Sequence, residues 1–265
     1  MRKPTQKQRL VSAISGRAAF TLVELLVVIF IIALLSTLIL VGVNRAQRSS
    51  KIAKTKSNLA AIASAIEQYH NDFKVYPGLS NAGGPIQYTI LAQALVGPGP
   101  ATEDGAEGTG FRIPNPATGQ PDPNSKKWDA YISPESIRVQ RYARGWSFID
   151  AFDNPIRYYP KRKALNAKQP NTLVDITGNC IFDARDGEHP QSGLVEVPVE
   201  TFQVLVGDLD NSNAIDGDES LLVEGNFVLG SAGSDGLFTL YAKGEGSAVR
   251  RQKMSKSDDI FNFER

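Results

Sequence analysis

Between Asp208 and Glu219 the chain reads DLDNSNAIDGDE, with oxygen donors on nearly every second residue. They are the side chains of Asp208, Asp210, Ser212, Asp216 and Glu219, together with the Ala214 carbonyl. Calcium takes about six to eight oxygens, and this spacing wraps them round one point with the last carboxylate bidentate. Asn213 occupies the position that needs a left-handed backbone, which asparagine tolerates better than most residues. The plainer reading is an unliganded acidic turn, and composition does not decide between the two. A different carboxylate, Glu24, stands near the start of FTLVELLVVIFIIALLS (Phe20–Ser36). A charge at the centre of a bilayer costs on the order of 2–3 kcal/mol even on lenient scales, and normally has a functional partner.

Other chemistries are poorly provided for. Cys180 is the single cysteine, so no disulfide can form within the chain, and it reads as a small buried apolar residue. His70 falls in a helical pattern and His189 precedes a proline, which argues against a histidine-based zinc site or a Ser-His-Asp triad. GSAGSDG (Gly230–Gly236) lacks the spacing of a nucleophile elbow, and no Gly-Lys-Ser/Thr ending marks a phosphate loop. The expectation is a protein that is not an enzyme.

The elements that must carry these groups begin with the apolar run. Phe20–Val43 is interrupted only by Thr21, Glu24, Ser36, Thr37 and Gly42. At about 1.5 Å per residue it spans a hydrocarbon core as one helix. A cleaved secretory signal fits poorly, because its apolar part is about 7–15 residues and ends at a small-x-small site. Here the small residues Ala18 and Ala19 precede the run. Beyond it Ile52, Leu59, Ile62, Ile66, Tyr69 and Phe73 make an apolar stripe, Ala60, Ala61, Ala63 and Ala65 favour helix, and Pro77 and Gly78 end the pattern. The spacing predicts one helix from about Phe20 to Phe73, its first half in lipid and its second against a globular domain. Lys51, Lys54 and Lys56 form a solvated or headgroup-facing side.

The net charge of +1 hides three zones. Residues 1–19 carry five bases and no acid, Asn44–Ile66 does the same, and Val75–Arg265 holds 18 basic against 25 acidic residues. The acidic part argues against nucleic acid as a partner. Five bases on each side of the span leave its orientation unset. LAQALVG (Leu91–Gly97) reads as a short second helix and the Gly/Pro-rich 97–124 as a long loop. The runs TLVDI, LVEVPVETFQVLV, FVLG and LFTLYA alternate as strands do, with Pro198 weakening its own. The fold class is α+β, with a long helix packed on a small antiparallel sheet.

AFTLVELLVVIFIIALLS resembles the N-terminal motif of type IV pilins and of the pseudopilins of type II secretion systems. The resemblance implies a basic leader cut between Ala19 and Phe20 by a prepilin peptidase, with Ala19 where the family normally has Gly. It implies that the new α-amino group of Phe20, usually N-methylated, neutralises Glu24 of a neighbouring subunit during filament assembly. It divides the chain into a cytoplasmic leader (1–19), a transmembrane half-helix (20–43), an extramembrane half-helix (44–74) and a periplasmic or extracellular globular domain (75–265). AIEQYHNDFKVYPG (Ala65–Gly78) and FIDAFDNPIRYYP (Phe148–Pro160) are similar to elements of the major pseudopilin. In that family a S-x-G-x-D-G loop and a D-D-I-x-N-W segment hold a structural calcium. SAGSDG (Ser231–Gly236) and DDIFNF (Asp258–Phe263) match them, so Ser231, Asp235, Asp258 and Asp259 are implied ligands. The connector between them, 237–257, is longer than the family's. The plainer reading is a capped turn that closes the C-terminus onto the sheet. The loop at 208–219 is similar to EF-hand and dockerin-type loops, but the preceding FQVLVG reads as a strand.

The resemblance implies a single-pass bacterial inner-membrane protein that joins a homopolymer at an inner-membrane assembly platform, with the pseudopilus of type II secretion as the leading case. The rival readings are a surface type IV pilin, a membrane-anchored calcium-binding protein that does not polymerise, and a tethered hydrolase, for which no constellation is present.

Overall fold

The computed structural model describes residues 21–78, 89–113, 122–142, 145–161, 172–174, 180–183, 202, 225–238, 249, 252–253 and 256–262. The chain divides into two compact units, Met1–Gln47 and Arg48–Arg265.

Helix α1 runs from Leu22 to Phe73, close to the expected bounds. Within the first unit its apolar residues from Leu22 to Leu35 are 48–78% exposed all round the helix. Leucines and isoleucines left open on every side need lipid or other helices to cover them. The helix is long and apolar enough to cross a membrane. At its far end Lys74 takes a left-handed conformation (φ 59°) while its N–H still reaches the His70 carbonyl at 2.7 Å. That geometry stops a helix, and here lysine adopts it where glycine is usual.

In the second unit Leu59, Ile62 and Ile66 of α1 are 0–1% exposed, with Ile52 and Tyr69 packed beside them. They share a core with Leu91 and Leu95 of α2 (Thr89–Leu95), with Phe148, Tyr158 and Leu229 of the strands, and with Ile156 beside them. Full burial of each such side chain stabilises by roughly 1.5–3 kcal/mol. Thr55 and Asn58 share the buried face. Thr55 accepts the Ala151 N–H at 3.2 Å, a polar tie that an apolar count along the helix overlooks.

Among its described residues the stretch 97–124, expected as loop, contains two elements: the one-turn helix α3 (Ala101–Asp104) and strand β1 (Phe111–Arg112). Pro100 and Gly105 serve as start and stop signals for α3. Pro100 precedes the helix, and Gly105, left-handed at φ 79°, closes it with an N–H bond to the Ala101 carbonyl. β1 pairs antiparallel with β2 (Lys127–Trp128), where Gly110 lets two backbones approach. A Cβ there would lie 2.5 Å from the Trp128 carbonyl oxygen.

β3 (Val139–Tyr142) and β4 (Gly145–Phe148) form an antiparallel pair, and β5 (Arg157–Pro160) follows after a turn. β6 (Thr172–Val174) pairs with β7 (Cys180–Asp183). β8 (Phe227–Ser231) lies between β5 and β9 (Ile260–Phe261), antiparallel to both. The α+β architecture is as expected, although the sheet is divided into short ladders among the described residues. The strand expected at 194–206 lies outside the described residues apart from the buried Phe202, and the one at 237–242 apart from Leu237 and Phe238.

Candidate functional site

Two places bring together residues singled out by sequence. The first is the start of α1. The Thr21 N–H and hydroxyl both donate to Glu24 Oε2 at 2.9 Å, and the Glu24 N–H donates back to Thr21 Oγ1 at 3.2 Å. This is a reciprocal capping box, which satisfies donors that the first helical turn otherwise leaves bare. Glu24 also suits the positive end of the helix dipole. The carboxylate therefore has a local partner in its own subunit, a role the sequence reading missed. The S/T-x-x-E spacing of Thr21 to Glu24 was the available signal. Ala19 and Phe20, on either side of the expected cut, lie outside the described residues.

The second place joins the turn after β4, the loop after β8 and the segment before β9. Asp150, 4% exposed, accepts the N–H groups of Phe152 (2.7 Å) and Asn154 (2.8 Å) through Oδ1. Its Oδ2 accepts the Ser231 hydroxyl at 2.5 Å, and Ser231 Oγ in turn accepts the Gly233 N–H at 3.2 Å. Asn154 donates its side-chain N–H to the Gly233 carbonyl at 2.7 Å. Across the loop, Asp258 Oδ2 accepts the Ser234 hydroxyl (2.6 Å), the Ser234 N–H (2.8 Å) and the Asp235 N–H (3.3 Å). Arg48 of α1 lies 3.5 Å from the same oxygen. Burial pushes the Asp258 carboxyl upward, but the hydrogen bonds from Ser234 and Asp235 outweigh it and hold the group below the usual aspartate range. Asp259, 7% exposed, accepts the Ser257 hydroxyl at 2.5 Å.

The two matched segments, SAGSDG and DDIFNF, are thus in contact. Ser231, Asp235, Asp258 and Asp259, the ligands that the resemblance implies, all lie at or beside this contact. Ser231 donates to Asp150, Asp235 Oδ1 accepts the Leu237 N–H at 2.9 Å, and Asp258 Oδ2 accepts the 234–235 donors. Among the described residues no three His, Cys, Asp or Glu side chains converge to hold a metal. Asp208, Asp210, Ser212, Ala214, Asp216 and Glu219 lie outside the described residues.

Asp153, in the turn after β4, has φ 73°. Asp is among the few non-glycine residues that tolerate that left-handed conformation. The Asp150 hub was the functional residue hardest to see in the sequence. Its signal is an aspartate two and four residues ahead of backbone groups it can cap.

Residues 14–40 match the family model of the prokaryotic N-terminal methylation motif. That motif marks a type IV pilin-like subunit, processed by a prepilin peptidase and assembled with other pilin subunits. No curated protein and no solved structure matches the chain.

Proposed function

We propose that this chain is a non-enzymatic structural subunit of a type II secretion pseudopilus, cut before Phe20 and polymerised through α1. The observation that carries the reading is the methylation motif over residues 14–40, seated on a helix whose apolar residues are open on every side. Glu24 is the assembly register: in the filament it faces the α-ammonium group of Phe20 from a neighbouring copy. A lone carboxylate in lipid is costly, and pairing it in a helix bundle removes much of that cost. The pseudopilin assignment is supported by the contact between SAGSDG and DDIFNF, and by the likeness of FIDAFDNPIRYYP, whose Asp153 turns left-handed before Asn-Pro. The subunit sits in the inner membrane with residues 75–265 in the periplasm, and an inner-membrane platform extracts it.

Calcium belongs in this reading at the 208–219 loop, supported by its donor spacing. There it would be a structural ion held by Asp208, Asp210, Ser212, the Ala214 carbonyl, Asp216 and Glu219. Calcium then raises the melting temperature of the wild type, since a ligand that binds only the native state stabilises it, and Glu219→Ala abolishes the rise.

The reading is tested by expressing wild type and Glu24→Ala with the secretion genes of the host. Wild type should give cross-linked ladders of subunits and support export of folded protein. Glu24→Ala should stay in the membrane as a stable monomer. Normal ladders from Glu24→Ala would remove the pairing mechanism, and surface pili with secretion intact would favour a type IV pilin instead.

A further inference from the structure

Lys51, Lys54 and Asn58 stand at i, i+3 and i+7 of α1, which puts them on one face of the helix. They line one side of a pocket of about 390 Å³, a volume in the range that holds a small ligand. The other side comes from the segment before β3 and the turn after β4. Asn58 is 8% exposed, and its carboxamide makes no hydrogen bond among the described residues. A buried carboxamide carries two N–H donors and is costly unless an acceptor meets them, and this one borders the pocket. Neither Lys51 nor Lys54 forms an ion pair among the described residues, although Lys51 Nζ lies 5.5 Å from the centre of the Phe152 ring.

We propose that this pocket binds a phosphate group, whose oxygens are taken by the ammonium groups of Lys51 and Lys54 and by the side-chain N–H of Asn58. The site goes beyond the filament reading and does not rest on it.

The pocket also holds three acids, and each of them already faces a protein donor. Asp150 accepts through both oxygens, Asp153 pairs with Arg138, and Glu135 Oε2 accepts the Ser133 hydroxyl at 2.8 Å. The groups left to receive a ligand are therefore the two ammonium groups and the carboxamide, all on α1. A lysine ammonium meets phosphate as a point charge, and three separate donors suit a tetrahedral group of several acceptor oxygens better than a planar carboxylate with two. Lys56, grouped with the other two lysines by sequence, does not line the pocket. Lys51 follows Val43, the end of the apolar run, by eight residues, and long basic side chains near the end of a membrane span reach toward headgroups. An anionic phospholipid headgroup and free phosphate offer the same oxygens. Both lysines are exposed, so the attraction is weak and falls as salt rises.

The test is the NMR signal of the Asn58 side-chain amide in the full chain. In detergent micelles it is titrated with sodium phosphate at constant ionic strength. In a second arm, nanodiscs of phosphatidylcholine are compared with nanodiscs that also contain phosphatidylglycerol. The site predicts a saturable shift at Asn58. A shift with inorganic phosphate makes the free anion a sufficient ligand, and a shift with phosphatidylglycerol alone makes the headgroup the source. Lys51→Gln with Lys54→Gln should weaken the apparent affinity by about tenfold or more, because two charged donors are lost. Lys56→Gln, outside the pocket, should leave it unchanged. No saturable shift in either arm, as when water alone meets Asn58, would overturn the proposal, and so would a response undiminished in the double variant. A response to a peptide of residues 208–219 but not to phosphate would also overturn it and place an acidic segment of a second copy there. The readout needs neither leader cleavage nor assembly.

Discussion

Replacing Asp150 with alanine tests whether the second unit is held by a polar hub as well as by its apolar core. The change removes three hydrogen bonds to one carboxylate and leaves the amides of Phe152 and Asn154 and the hydroxyl of Ser231 without that acceptor. Bonds to a charged acceptor contribute about 1.5–3 kcal/mol each, and a stranded buried donor costs about 1–3 kcal/mol. The three act on one side chain and are not additive, so the expected loss is about 3–5 kcal/mol. Residues 48–265 form a unit in the size range where each kcal/mol shifts Tm by roughly 2–4 °C, so a fall of about 10 °C is expected. Asp150→Asn retains the shape and one acceptor, and should lose about half as much. Ser231→Ala combined with Asp150→Ala closes a double-mutant cycle whose coupling should exceed about 1 kcal/mol. Circular dichroism melts in detergent read all three. A Tm for Asp150→Ala within about 2 °C of wild type would refute the hub.

Three further outcomes follow from the same geometry. Ile62→Ala, at a side chain 0% exposed on the α1 core face, should destabilise by about 2–5 kcal/mol in denaturant titrations. Asp153→Gly should leave stability nearly unchanged, whereas Asp153→Val should cost about 1–2 kcal/mol because a β-branched residue resists φ 73°; the exposed pair with Arg138 adds little in either case. Asp258 has a folded-state pKa below its unfolded value, so its contribution is present above the unfolded pKa and is lost as pH falls through the folded one. Acid melts below about pH 4 should therefore separate wild type from Asp258→Asn less than melts near neutrality do.

Regular periodicity was the most legible feature. The stripe Leu59, Ile62, Ile66 and Tyr69 located the core face of α1, and Pro77 and Gly78 marked its end, because a helix repeats its burial every three to four residues. The short helix α2 and the strands at 172–174 and 227–231 were also visible as patterns. Composition hid α3 within the stretch expected as loop, because Pro100 and Gly105 are its boundary residues. Asp150 was illegible for a different reason: its partners Ser231 and Asn154 are 81 and 4 residues away, and a polar hub leaves no period. The contact of SAGSDG with DDIFNF was legible from the resemblance, whereas the hydrogen bonds that Ser234 and Asp235 give Asp258 leave no mark in the spacing. Thr21 was overlooked beside Glu24 because a charge in an apolar run directs attention to distant partners, while the capping box needs only the next turn.

A mass measurement on protein extracted from the membranes of its own host reaches the central claim most directly. The mature species should have lost Met1–Ala19 and begin at Phe20, with the added mass of one N-methyl group. A full-length species that keeps its leader would leave no free α-amino group to face Glu24, and would contradict assembly through that pair.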